Sequence, residues 1–145
     1  MLADSYSQTD STITVHLDTR AKWNNGEKVT VEDVVYSFKI DSILPTAHHN
    51  NWKHIKTVSA DSENHITFQL AANRNPLMVL NAIAETSILP KSVFEPLLNS
   101  AKSGKSYNMD KILEFKNDYQ PVASGPYTLA NYSPDQIVLT RVENY

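Results

Sequence analysis

The side chains best suited to chemistry in this sequence are its imidazoles, and three of them, His48, His49 and His54, lie within seven positions. Imidazole is the commonest protein metal ligand, so a metal centre is the first chemistry to weigh. The spacing fits no structural zinc pattern, and no carboxylate stands at helical spacing beside the three, so a solvated loop is the stronger reading. Glu32 and Asp33 offer a second chemistry, a paired acid and base. Adjacent helix positions point in different directions, however, and two acids in a first helical turn are already accounted for by the positive helix N-terminus. A nucleophile is no better supplied. There is no cysteine, and Ser124-Gly125 lacks the Gly-x-Ser-x-Gly elbow because Val122 and Pro126 stand where the glycines belong. Glycines at positions 26, 104 and 125 are too few and too scattered for a phosphate-cradling loop. The pattern is that of a protein which is not an enzyme and needs neither cofactor nor metal.

Binding is better provided for than catalysis. Trp23, Tyr36, Trp52 and Tyr127 each combine a flat apolar face with a polar edge and could line a groove, although partial burial in a core is the stronger reading for such side chains. Asn131-Tyr132-Ser133 matches a glycosylation sequon. The 13 Lys and Arg against 16 Asp and Glu give a net charge of -3, with no basic stripe to follow a phosphate backbone, so nucleic acid is not an expected partner. The absence of cysteine excludes disulfides and suits an extracytoplasmic protein.

The elements that would carry these residues can be read from the pattern. Over 145 residues, 41% hydrophobic and 20% charged composition describes one globular domain with a real core. No window approaches the apolar length of a membrane span. The chain starts at Met1-Leu2-Ala3-Asp4-Ser5 with neither a basic stretch nor an apolar run, and stops at Tyr145 directly after a strand-like run. A fragment of a larger protein is expected.

Residues 13–17 alternate with period two, the signature of a strand with one buried face. Asn24-Asn25-Gly26 marks a tight turn, because Asn and Gly tolerate positive φ. Thr30 followed by Asp33 reads as a helix cap, and Val31, Val34, Val35 and Phe38 form an apolar stripe that runs to Leu44 before Pro45 ends the helix. Residues 46–53 read as loop. Residues 55–60 and 65–70 read as a hairpin, with Ile66, Phe68 and Leu70 on its buried face. A short helix over 76–84 is capped by Asn75, and Pro90 opens another through Leu98. Residues 99–106 read as an exposed loop, residues 110–115 as a short helix, and 126–132 with 137–142 as a second hairpin around Ser133-Pro134-Asp135. The class is α+β, with a mixed, mostly antiparallel sheet and three to four helices.

Two segments together carry a resemblance. Lys22-Trp23-Asn24-Asn25-Gly26-Glu27-Lys28-Val29-Thr30-Val31-Glu32-Asp33-Val34-Val35-Tyr36-Ser37-Phe38 resembles the signature of the family 5 extracellular solute-binding proteins, the peptide and nickel receptors of ABC importers. That pattern reads roughly Lys-Trp-x-[Asp/Asn]-Gly-x-Pro-Val-Thr-Ala-Glu-Asp-Val-x-Tyr-Ser-[Phe/Trp], and this chain departs from it at Lys28 and Val31. Ser124-Gly125-Pro126-Tyr127-Thr128-Leu129 resembles the family's Gly-Thr-Gly-Pro-Tyr segment, with Ala123 for the first glycine and Ser124 for the threonine. The strands at 13–17 and 137–145 and the stretch from Asn75 to Lys91 keep family order around these motifs.

The resemblance implies a two-lobed trap of which this chain is the smaller inserted subdomain, residues 1–145 forming a single domain and about 123–145 belonging to the neighbouring lobe. It implies capture of a short peptide outside the membrane and delivery to ABC permease subunits, in a lipid-anchored, extracytoplasmic parent. Trp23, Gly26, Thr30, Glu32, Asp33, Gly125, Pro126 and Tyr127 match its motif positions as structural residues, and Trp23, Asn25 and Tyr127 are the candidate ligand contacts. The alternative is a structural or interaction subdomain, or the sensor domain of a regulator that reuses the same fold.

Overall fold

The computed structural model describes residues 2–45, 49–113, 121–143 and 145. The fold is α+β, as the periodicities require, and each strand pairing among the described residues is antiparallel. The chain divides into two compact units, residues 1–21 with 28–89, and residues 22–27 with 90–145.

The first unit is built on a four-stranded sheet in the order β1-β2-β4-β3. Its strands are β1 (Ala3–Gln8), β2 (Thr12–Leu17), β3 (Ile55–Ala60) and β4 (His65–Leu70). The register pairs Ile13 with Phe68 and Val15 with Ile66 on one face, and Thr14 with Thr67 and His16 with His65 on the other. Because side chains alternate across a strand, this pairing gathers the apolar residues beneath the sheet and leaves a hydroxyl and imidazole face above it. Ile13, Leu17, Ile66, Phe68 and Leu70 are buried as expected.

Helix α1 (Val31–Ile43) covers the apolar face. Val31, Val34 and Phe38 are buried, and the Phe38 ring meets Phe68 edge-on with centroids 4.8 Å apart. Leu44 closes the helix, its amide donating to the Ile40 carbonyl, and Pro45 follows. Asp33, Ser37 and Asp41 are also buried, at spacing i, i+4, i+8. The Ser37 hydroxyl donates to the Asp33 carbonyl at 2.7 Å and accepts from the Leu89 amide at 2.8 Å, so this polar row ties the helix to the chain ahead of Pro90. Helix α2 (Pro76–Glu85) starts as its sequence prescribes, with Asn75 Oδ1 accepting from the Leu77 amide.

Two readings of this unit need correction. Strand β1 was not foreseen, because five of its six residues are exposed and an edge strand without a buried face has no period to detect. The loop expected over 46–53 holds a 3-10 helix, His49–His54, whose last residue is buried; residues 46–48 lie outside those described.

The second unit contains α3 (Lys91–Ala101), α4 (Met109–Leu113) and the hairpin of β7 (Tyr127–Ser133) with β8 (Gln136–Arg141). The stretch 99–106 is exposed apart from Ala101, as expected, but it holds helix and strand in place of a loop. Residues 99–101 complete α3, and β5 (Lys102–Ser103) pairs with β6 (Ser106–Tyr107) around Gly104, whose φ of +61° suits a residue without Cβ. The helix expected to reach 115 is described to Leu113. The β7–β8 hairpin turns where Ser133-Pro134-Asp135 placed it, with Ser133 opposite Gln136. Among the described residues, no helix is long and apolar enough to cross a membrane.

Candidate functional site

The start of the first motif segment, residues 22–27, meets the chain just ahead of the second motif segment within the second unit. Residues 22–27 form a tight turn in which the Trp23 amide donates to the Glu27 carbonyl at 2.8 Å and the Gly26 amide returns to the Trp23 carbonyl at 3.0 Å. Gly26 has φ +89°, the conformation for which glycine is required. Asn25 closes the turn from outside: its Oδ1 accepts from the Glu27 amide and its Nδ2 donates to Glu27 Oε2. Such an Asx turn is the usual work of Asn beside Gly.

Asn24 makes the connection that motif reading missed. Its amide donates to the Ala123 carbonyl at 2.8 Å, its Oδ1 accepts from the Ala123 amide at 3.3 Å, and its Nδ2 donates to the Pro121 carbonyl at 2.9 Å. These three bonds clamp residues 121–123 against the turn, and so fix where Gly125-Pro126-Tyr127 leads into β7. Asn24 falls at the variable position of the signature, so nothing beyond the turn signal marked it for this contact. The Val142 amide donates to the Pro126 carbonyl at 2.9 Å, which holds the end of the hairpin to the same segment.

The candidate contacts differ in their setting. Trp23 is 4% exposed and packs as a structural anchor, whereas Tyr127 is 55% exposed and Asn25 is exposed. Gly125 has no left-handed backbone, and a Cβ there would meet only the Tyr127 carbonyl oxygen at 3.9 Å. Tyr36 and Trp52 are half-buried members of the first unit, so the four aromatics proposed as one groove divide between the two units.

Thr30, Glu32 and Asp33 belong to the first unit and perform the capping read from sequence. The Thr30 hydroxyl accepts from the Asp33 amide at 3.3 Å, and Asp33 Oδ2 accepts from the Thr30 amide at 2.9 Å, a complete capping box. Asp33 is thereby committed to structure, and Glu32 is exposed in the first turn. Of the histidines, His49 shares a hydrogen bond with the Asp41 carbonyl at 2.7 Å, and His48 lies outside the described residues. His54 is buried, its Nδ1 has no hydrogen-bond partner among the described residues, and burial, with the charges of Arg74 and Lys53, pushes its pKa below the ordinary imidazole value. Among the described residues no three His, Asp or Glu side chains converge as a metal-ligand set.

Elsewhere in the first unit, Asp18 takes a two-point ion pair with Arg20, Nη2 to Oδ2 at 2.7 Å and Nε to Oδ1 at 3.0 Å, and these bonds hold its carboxyl at a pKa of about 2. The His16 ring nitrogen at 2.6 Å lowers the Asp4 carboxyl in the same way. Beneath the sheet, between β1, α1 and α2, lies an apolar cavity of about 520 Å³ whose walls include Leu17, Phe38, Phe68, Ile83 and Ile88.

Comparison with known proteins bears on this arrangement. The family model described as bacterial extracellular solute-binding proteins, family 5 Middle, matches residues 1–145. The chain is 29% identical over 141 residues to YejA of Agrobacterium fabrum, named as a probable peptide-binding protein, covering 95% of this chain and 22% of that one. Among solved structures, it matches a periplasmic oligopeptide-binding protein of an oligopeptide ABC transporter from Thermotoga maritima with TM-score 0.77 at 23% identity, over 99% of this chain and 25% of the other. It also matches the oligopeptide-binding protein AppA of Bacillus subtilis in complex with a nonapeptide, TM-score 0.76 at 21% identity, over 100% of this chain and 28% of the other. At these identities the structural matches establish the fold. The chain spans about a fifth of the length of the curated relatives it matches, 19% and 22%.

Proposed function

Since this chain belongs to the bacterial extracellular solute-binding proteins of family 5, we propose that it is part of a receptor that captures short peptides outside the membrane and hands them to the permease subunits of an ABC importer. The family's members are transport receptors rather than enzymes. The observation that carries the reading is the match of the family model over residues 1–145, and the motif turn clamped by Asn24 to the segment before Tyr127 is consistent with it.

In this reading the parent is extracytoplasmic and lipid-anchored, and residues 1–145 are one piece of it. Residues from about 123 onward continue into the neighbouring lobe; the exposure of Ile137 at 64% and Leu139 at 56% on the β7–β8 hairpin supports this, because apolar side chains on an uncovered ribbon call for cover from further chain. Ligand is held mainly by main-chain hydrogen bonds in a cleft that closes around it. Within this chain, Tyr127 and Asn25 are the exposed groups that could contact a peptide, while Trp23 supports the turn from within.

Mass spectrometry of small molecules released from the parent protein purified under native conditions tests the reading, followed by calorimetric titration with the peptides found. Short peptides in near-stoichiometric amount are expected, with binding much weakened in the isolated 145-residue chain. Recovery of a saturable non-peptide solute, with no peptide bound at millimolar concentration, would overturn the peptide assignment.

A further inference from the structure

The upper face of the first unit's sheet holds two imidazoles in an arrangement that the linear sequence hides, since they are 49 positions apart. The β2–β4 register sets His16 directly opposite His65, and their ring centroids lie 4.6 Å apart with planes inclined at 53°. Each ring is held by its Nδ1. His16 Nδ1 lies 2.6 Å from Asp4 Oδ1, and His65 Nδ1 lies 2.9 Å from Ser62 Oγ. Asp4 comes from β1 at the point where the β1–β2 register slips between Ala3 and Ser5, a local irregularity of the kind that re-aims a side chain.

A carboxylate can only accept, so His16 Nδ1 must carry the proton and its Nε2 presents a lone pair. Ser62 Oγ lies against the corresponding atom of His65, and in the tautomer whose Nδ1–H donates to that hydroxyl, Nε2 is the second donor. The side chains remain accessible: His16 is 31% exposed and His65 is exposed. The next pair along the same face, Thr14 and Thr67, is joined hydroxyl to hydroxyl at 2.9 Å and stiffens the two strands beneath the rings.

The geometry points to a binding site for one divalent first-row transition ion, held between His16 and His65 with water completing its coordination and Asp4 orienting His16. Paired imidazole nitrogens suit Cu2+, Ni2+ and Zn2+, and the affinity order of such ions puts Cu2+ first. The carboxylate–histidine–metal relay is the usual outer support for such a ligand. This site owes nothing to the motif turn or to the peptide reading, and it would stand if that reading fell.

The test is calorimetric titration of the 145-residue chain with Cu2+, with electron paramagnetic resonance of the complex and parallel titrations with Ni2+ and Zn2+. One Cu2+ per chain is expected, with a spectrum showing two coordinating imidazole nitrogens. His16→Ala and His65→Ala should each weaken binding by about a hundredfold, the chelate advantage of two linked donors, and reduce the spectrum to one nitrogen. Asp4→Asn should weaken it by about tenfold. His65→Gln, at an exposed position, serves should His16→Ala fail to fold, with circular dichroism as the check. Undiminished affinity in the folded His65 variants, or loss of binding on His49→Ala in place of either sheet histidine, would overturn the proposal.

Discussion

Gly26 and Gly125 both occupy motif positions, yet only Gly26 is held there by its backbone. At φ +89° an L side chain is strained even though no atom lies within 4 Å of the added Cβ, whereas at Gly125 the backbone is ordinary and the nearest atom is 3.9 Å away. Gly26→Ala should therefore cost about 1 kcal/mol, and Gly125→Ala should stay within about 0.5 kcal/mol of the parent, as read from melting temperatures. Equal losses at both would mean that Gly125 has a role its conformation does not express. Sequence reading was reliable for residues whose role is local: Gly26 and Asn25 in their turn, Thr30 and Asp33 in their cap. It missed the distant contacts of Asn24, Ser37, His16 and His65, whose partners lie 97 to 99, 52 and 49 positions away. Nothing in a side chain's immediate neighbours encodes a contact of that kind.

Among the elements, α1 was legible because three independent signals agree on it: the cap, the apolar stripe and the terminating proline. Strands β2 and β4 were legible because one face is buried and the other is not. β1 and the pair β5–β6 were not, since a polar edge strand has no buried face and two-residue strands have no period at all. The signals for α1 also differ in energetic weight. Phe38 is 2% exposed and stacked edge-on against Phe68, so Phe38→Ala removes a large side chain from a site bounded by sheet and helix, at a cost of about 3–5 kcal/mol. Thr30→Ala removes the hydroxyl's bonds to the Asp33 amide and carboxylate at a partly solvated helix end, at a cost of about 1 kcal/mol. Chemical denaturation should thus rank Phe38→Ala well below Thr30→Ala. The reverse order would place the helix's stability in its cap and show that the stripe contributes little.

At the scale of the whole chain, the family was legible because its motifs are linear and lie in order, while the ligand was not, because those motifs have a sufficient local explanation in a turn and a helix cap and name no ligand. Strand order and burial set how stability is spread. In the first unit β2 and β4 are the central strands, flanked on both sides and covered by α1 on their apolar face. In the second unit all six residues of β8 are exposed, and its only strand neighbour among the described residues is β7. A two-stranded ribbon without a covered face is marginal in water, and local opening takes place where few apolar contacts resist it. Hydrogen exchange of the isolated chain should therefore find the slowest amides in β2 and β4, limited by global unfolding, and amides of β7 and β8 exchanging orders of magnitude faster. If the hairpin docks on a neighbouring lobe, as proposed, its amides should slow markedly in a longer chain that includes that lobe, while those of β2 and β4 change little, because the lobe would cover Ile137 and Leu139. Equal protection of the hairpin in both contexts would show that β7–β8 is stable by itself, and would remove the reason to assign it to a neighbouring lobe.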